Sequence, residues 1–380
     1  MSNDTTSATV SASILQSPGK GERDDEDTSA GEGRMNNIRI VSLLPSITEV
    51  LSSLGKDVAH QIVGITHECD YPPSALKGAK IVTVSDISPH SMTQAQIHEQ
   101  VTGSLINGHS LYGLNKQVLQ TIQPDIIFTQ SLCDVCAVSY PVVVETCAKI
   151  LGGGGDNAKN NGPTIISLEP NNLKDVLTTF TVAARALGLA DRAQQVVEDL
   201  QRNFRVVRET VERHLQMPSS TVAIRKTGTN SSKPVVVFLE WHDPFFTGGH
   251  WIADLMEIAG CDYRMCQSGD RSAALKDDDF IAMDPDYILI GPCGFSLDRA
   301  LEDTKNITLK RPWWKTLRAV QTGNVYALDG NSYYARPGPR LLQGCGLIAR
   351  CVHGEDVGKA LGEELAPSSG MQRVTIDMYA

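Results

Sequence analysis

The residues of this chain best suited to chemistry fall in short segments that follow apolar runs. His67, Cys69 and Tyr71 follow Ile62-Val-Gly-Ile-Thr66. Glu240-Trp-His-Asp243 closes the run that starts at Pro234, and Cys293 sits three residues beyond the run ending at Ile290. Cys133 and Cys136 form a Cys-x-x-Cys pair. Thiolates and neutral imidazoles ligate soft and borderline metals. Glu240, His242 and Asp243 are the types that general acid–base catalysis uses. Aromatic residues crowd the same segments, although they make up only 6% of the chain. Tyr71, Trp241, Phe245, Phe246, Trp251, Phe295, Tyr333 and Tyr334 all lie in or beside them. Flat faces with a few polar groups, here Ser46, His67, His242 and Arg336, with Pro45 beside them, suit a broad amphipathic ligand. Any one of these aromatics would serve equally well in a core.

Spacing separates these chemistries. A structural zinc site needs a second Cys or His pair at similar spacing, and the chain has none. A metal or metalloid reading therefore requires Cys69 and Cys293 to converge on Cys133 and Cys136, and it stands as one alternative. A hydrolase on the Glu240–Asp243 loop is a second. Three adjacent strand-end residues do not all face one substrate, and no Gly-x-Ser-x-Gly elbow is present. Gly152–Gly155 lacks the Gly-Lys-Ser/Thr of a phosphate loop. The expectation is a non-catalytic protein that requires no cofactor.

The elements that must position these residues alternate between strand and helix. Apolar runs near residues 38–43, 62–66, 80–84, 124–130 and 164–168 read as buried parallel strands, with helices between them. Ser46 reads as a helix N-cap, Glu49 as its capping-box partner and Gly55 as the stop. Leu173–Leu215 is amphipathic at spacings of three and four, broken at Gly188-Leu-Ala-Asp191. Strands resume at 234–240, 285–290 and 324–328, and a helix covers 339–352. Pro-Asp leads one strand in each half, at Pro124-Asp125 and Pro285-Asp286. The expected fold is α/β: two βαβ lobes with largely parallel sheets joined by a long helical spine, and a ligand cleft between them. The expected boundaries are an acidic tail at 1–37, a first lobe at 38–170 with a flexible Gly/Asn insertion at 152–162, and a connecting helix at 171–216. A second lobe follows at 217–354, then a tail at 355–380.

Composition excludes several classes. The 380 residues carry a net charge of −10, which argues against nucleic acid as a partner. No apolar run reaches the roughly 18 residues a membrane-spanning helix needs. The first 37 residues show no secretory leader pattern, and the nine cysteines are odd in number and irregularly spaced. Both features predict a cytoplasmic setting.

Arg39-Ile-Val-Ser-Leu-Leu-Pro-Ser-Ile-Thr-Glu-Val-Leu-Ser-Ser-Leu-Gly55 resembles the opening of the helical-backbone (class III) substrate-binding proteins of ABC importers. Asp70-Tyr-Pro-Pro73, Asp243-Pro-Phe-Phe-Thr-Gly-Gly249 and Ser332-Tyr-Tyr-Ala-Arg-Pro-Gly-Pro-Arg340 resemble the vitamin B12-binding branch of that family, in order, across residues 38–353. The resemblance implies a cobalamin-like corrinoid, or a similar tetrapyrrole or metal chelate, as the bound ligand. It implies that Tyr71 and the Phe245-Phe246 loop line the corrin site, with Tyr333 at an aromatic position. It also implies a membrane permease as partner, with an intracellular acceptor as the alternative. Ala335 stands where the corrinoid-binding members carry an acidic residue facing the transporter.

Overall fold

The computed structural model describes residues 38–85, 92–107, 111–130, 138, 140–151, 162–217 and 233–375. The first 37 residues, Cys133, Cys136 and residues 152–161 of the Gly/Asn insertion lie outside them. The chain divides into two compact units, Met1–Pro170 with Thr178–Val196, and Asn171–Leu177 with Val197–Ala380.

The first unit holds β1 (Ile40–Ser42), β2 (Ile62–Ile65), β3 (Lys80–Ile81), β4 (Thr83–Ser85), β5 (Tyr112–Leu114), β6 (Ile126–Thr129) and β7 (Thr164–Ser167). Its sheet runs β3-β2-β1-β6-β7 with every pair parallel. Helices fill the connections, so the central strands are covered on both faces. This is why β1 and β6 are buried throughout and read as unbroken apolar runs. The chain leaves β1 toward β2 and β3 on one side, while β6 and β7 add on the other. The loops after β1 and β6 therefore diverge and leave a crevice at the carboxyl ends of these strands.

Two local expectations change here. The single strand expected at 80–84 splits at Val82, which is fully buried in the core. β3 stays in the main sheet, and β4 leaves it to pair antiparallel with β5. The first helix, Pro45–Ser53, begins one residue before the expected cap. Leu44 is its N-cap without a side-chain bond, and Pro45 supplies the first helical position. Proline starts a helix without losing a needed N–H, so Ser46 is not required as a cap and is buried instead.

The second unit holds β8 (Val236–His242), β9 (Phe245–Thr247), β10 (Ala274–Leu275), β11 (Tyr287–Ile290), β12 (Val325–Leu328) and β13 (Met371–Arg373). Its sheet runs β10-β9-β8-β11-β12-β13. β8, β11 and β12 are parallel, and the other three strands add antiparallel. The mixed α/β fold with largely parallel sheets is as the sequence predicts, apart from these antiparallel edges. Trp314 is fully buried beside Val237, Leu239 and Phe280 in the core of this unit. Residues from 355 onward, expected to be a tail, form the helix Glu355–Leu365 and the edge strand β13. Their apolar pattern is sparse, with Val357 and Leu361 turned inward. The buried guanidinium of Arg350 binds Glu355, Glu363 and the carbonyl of Ala366, tying the segment down through polar bonds that hydrophobic periodicity does not report.

The helices Leu173–Ala186 and Ala190–Leu215 each cross the boundary between the units. Gly188 adopts a φ of 72° between them, and Leu189 N–H bonds the carbonyl of Ala184 in the manner of a helix end. The paired Pro-Asp strand starts share one physical role. Asp125 accepts the backbone N–H of Arg39 at 2.7 Å, just before β1. Asp286 accepts that of Val235 at 2.9 Å, just before β8. Each carboxylate thus satisfies the first donor of the neighbouring parallel strand.

Two buried histidines make the second unit acid-sensitive. His353 donates Nε2–H to the carbonyl of Ala259 at 2.7 Å, and burial pushes its pKa down to about 4. Burial likewise lowers that of His242 to about 4. The unfolded chain takes up these protons from about pH 6.5, while the folded chain resists until about pH 4. Stability is expected to fall across that window by up to about 3 kcal/mol per histidine. Urea unfolding of the wild type and of His353→Gln at a series of pH values checks this. Equal pH slopes for the two proteins would remove His353 as a cause.

Candidate functional site

In the first unit, polar side chains gather at the carboxyl end of the sheet. Thr48 lies one turn into the helix that follows β1, and its hydroxyl reaches Ser42 Oγ at 2.8 Å and Cys69 Sγ at 3.2 Å. Thr83 donates to Thr66 Oγ1 at 3.2 Å and accepts the backbone N–H of His67 at 3.0 Å. His67 Nδ1 lies 2.7 Å from the same Thr83 oxygen. With the Thr83 proton given to Thr66, Nδ1 carries the hydrogen. Nε2 stands 3.3 Å from Glu68 Oε1, and the ring packs on Tyr112 at 5.5 Å. This network fixes the His67 ring. Pro45 is half-buried. Tyr71 is 44% exposed.

In the second unit, the carboxyl ends of β8, β11 and β12 build one continuous strip. The parallel ladder ends at Leu239 and Ile290. Beyond it, Cys293 N–H bonds the carbonyl of Glu240 at 3.0 Å, and Asn331 N–H bonds that of Phe295 at 3.0 Å. The indole of Trp241 meets Phe295 at 5.3 Å between ring centres, and Arg299 lies 4.8 Å over the other partner's ring centre, that of Phe295. Gly330 packs so closely on Pro292 that a Cβ there would sit 1.9 Å from its carbonyl oxygen. Only glycine lets the β12 loop lie against the β11 loop.

A β-bulge decides which β8 side chains join this strip. The β8–β9 register shifts between Leu239 and Trp241, so one residue is extra. Leu239 and His242, on either side, are fully buried. Glu240 and Trp241 are both half-buried and share the opposite face. Phe246, across the ladder from Trp241, is half-buried as well. The Gly249 N–H donates to the Ser272 hydroxyl at 3.2 Å, the Ser272 side chain lies against the Glu240 carboxyl, and burial raises the Glu240 pKa to about 7.

The structure separates the residues expected to face a ligand. Trp241, Phe246 and Tyr333 are half-buried and keep accessible surface. Phe295 is buried against Trp241, and His242, Phe245, Trp251, Tyr334 and Arg336 are buried as well. His242 lies 3.1 Å from Thr304 Oγ1, and Phe245 packs on Phe280 and Trp314. Trp251 donates Nε1–H to the carbonyl of Tyr334, whose own hydroxyl donates to Gly344. Arg336 is buried and donates to Asn331 at 2.9 Å. Large aromatics near strand ends satisfy a core as readily as a pocket, and the sequence does not distinguish the two. Ser272 and Gly330 carry no signal in the sequence. The Gly248-Gly249 doublet does, because a Cβ on Gly249 would meet Ser272 N at 2.3 Å. Among the described residues no group of three or more His, Cys, Asp or Glu is disposed to hold a metal ion. Cys69 lies against Thr48, Cys293 is exposed, and Cys133 and Cys136 lie outside the described residues.

The two α/β units, with largely parallel sheets, have a fold like that of the class III periplasmic binding proteins. The model of the periplasmic binding protein family matches residues 156–332. Solved structures agree at the level of fold. A periplasmic haem-binding protein from Pseudomonas aeruginosa superposes with a TM-score of 0.58 at 16% identity, covering 83% of this chain and 92% of that one. An ABC transporter substrate-binding protein from Listeria monocytogenes EGD-e gives 0.54 at 16% identity, covering 83% and 99%. The periplasmic vitamin B12-binding protein of Vibrio cholerae gives 0.50 at 18% identity, covering 86% and 97%. No curated protein matches the sequence.

These findings overturn the cytoplasmic setting. The matching family and the Pseudomonas and Vibrio structures are described as periplasmic proteins. The expectation rested on residues 1–37, which lie outside the described residues, and on the odd number and irregular spacing of the cysteines. Among the described residues no helix is long and apolar enough to cross a membrane.

Proposed function

We propose that this chain binds, without catalysis, a corrinoid or a similar tetrapyrrole-sized metal chelate. The observation that carries the reading is the half-buried aromatic pair Trp241 and Phe246, facing each other across the β8–β9 ladder at the strand ends of the second unit. Such faces bury a large flat ligand at little cost in side-chain entropy. Haem and vitamin B12, the ligands named for two of the similar structures, are both of this shape. Delivery to a membrane permease follows from the reading, with the bound protein as the form the permease meets.

Equilibrium titration with cobalamin, cobinamide and haemin tests it, followed by quenching of tryptophan fluorescence. Binding of at least one at micromolar concentration or below is expected. Trp241→Ala is expected to weaken it roughly 10- to 100-fold, the range for truncating a central aromatic contact. No binding of any of the three removes the reading.

A further inference from the structure

The strip built on the β8 bulge carries a charge that the shape argument leaves unused. The β8 bulge puts Glu240 on the face of Trp241, and its carboxyl group lies against Ser272, whose hydroxyl accepts the Gly249 N–H at 3.2 Å. The groups that act on this neighbourhood are Tyr263, Cys266 and Asp270. Tyr263 gives its hydroxyl hydrogen to the carbonyl of Gly248, and the Cys266 thiol lies 3.3 Å from Thr247 Oγ1. The nearby cations have partners elsewhere. Arg299 binds Asp303 at 2.9 Å, and Arg311 binds Asp243 and Asp277 at 3.1 Å. Arg271 is exposed and acts on His250, whose own pKa burial lowers. A second carboxylate brought against Glu240 in this half-buried setting meets like-charge repulsion that water screens poorly.

We infer, resting on the function proposed above, that Glu240 sets the charge preference of this face, favouring a ligand with a neutral amide rim or a positive charge over one with carboxylate arms. Within the tetrapyrrole-sized ligands this selects corrinoids, whose periphery carries amides, against haem, whose two propionates are anionic. The choice is made by a hydrogen-bonded carboxylate on a strand bulge, not by pocket size.

The test is a competition between cobinamide and haemin on the full chain. Wild type is expected to prefer cobinamide by roughly 10-fold or more at about pH 8, and less at about pH 6 as Glu240 takes up a proton. Glu240→Gln is expected to narrow the preference about 10-fold at the higher pH and to abolish its pH dependence. Asp278→Asn removes an exposed charge from the helix Asp277–Met283 and should leave the preference unchanged. Equal preference in wild type and Glu240→Gln, with binding intact, overturns the inference and leaves the function standing. Haemin binding as tightly as cobinamide in wild type does the same. No binding of either ligand at any pH overturns both. Urea unfolding of each variant confirms that it is folded.

Discussion

Glu240→Gln will make the protein more stable above pH 7, by up to about 3 kcal/mol, and no more stable near pH 4. Burial raises the folded-state pKa of Glu240 to about 7, well above the usual carboxylate range of about 4. The folded state therefore holds this proton more tightly than the unfolded chain does. Wild-type stability from this group is fully present below about pH 4.5 and is lost as pH rises through about 7. Glutamine keeps the shape, can accept from the Ser272 hydroxyl, and has no charge to desolvate. Its advantage grows across the same interval. This runs opposite to the two buried histidines, which cost stability as pH falls. Urea unfolding of both proteins from about pH 5 to pH 9 reads the difference. A constant offset at every pH would mean that Glu240 ionises no less easily folded than unfolded.

Gly330→Ala will destabilise the second unit by about 3 kcal/mol or more. The added methyl would lie 1.9 Å from the carbonyl oxygen of Pro292 and 2.7 Å from the carbonyl carbon of Gly291. Both are backbone atoms, so no rotamer change relieves the clash and one loop must move. The loops that separate carry Cys293, Phe295 and Asn331. The predicted loss in Tm is roughly 6–12 °C. Ligand affinity is expected to fall with it, because Phe295 then no longer backs Trp241. Calorimetry and the cobinamide titration measure both. A Tm within about 2 °C of wild type would show that the two loops are not in the contact described.

Much of the fold was legible because burial on both faces of a parallel sheet writes itself as apolar runs. The strands at 38–43, 124–130 and 285–290 stand out for that reason. The Pro-Asp starts were legible as a pattern, and the structure supplies their cause in the caps of Asp125 and Asp286. The antiparallel edges were not legible. β10 and β13 are two and three residues long, too short for a period to register. The helix Glu355–Leu365 was missed because Arg350 ties it down through polar bonds.

The chemical strip at the strand ends divides in the same way. From sequence alone, Tyr71, Trp241, Phe246, Phe295 and Tyr333 could be placed at the carboxyl ends of strands, since strand order and loop position follow from the chain. Phe295 is buried, and the neighbours His242, Phe245, Trp251 and Tyr334 are core too. Within β8, one extra residue divides Trp241 from His242. A strand side chain changes face with every residue, so the bulge at Glu240 turns His242 inward and leaves Glu240 beside Trp241. The sequence determined which residues reach the ends of the strands; only the tertiary structure decided which face each presents, because facing depends on a pairing register set by β9, a strand the sequence does not announce.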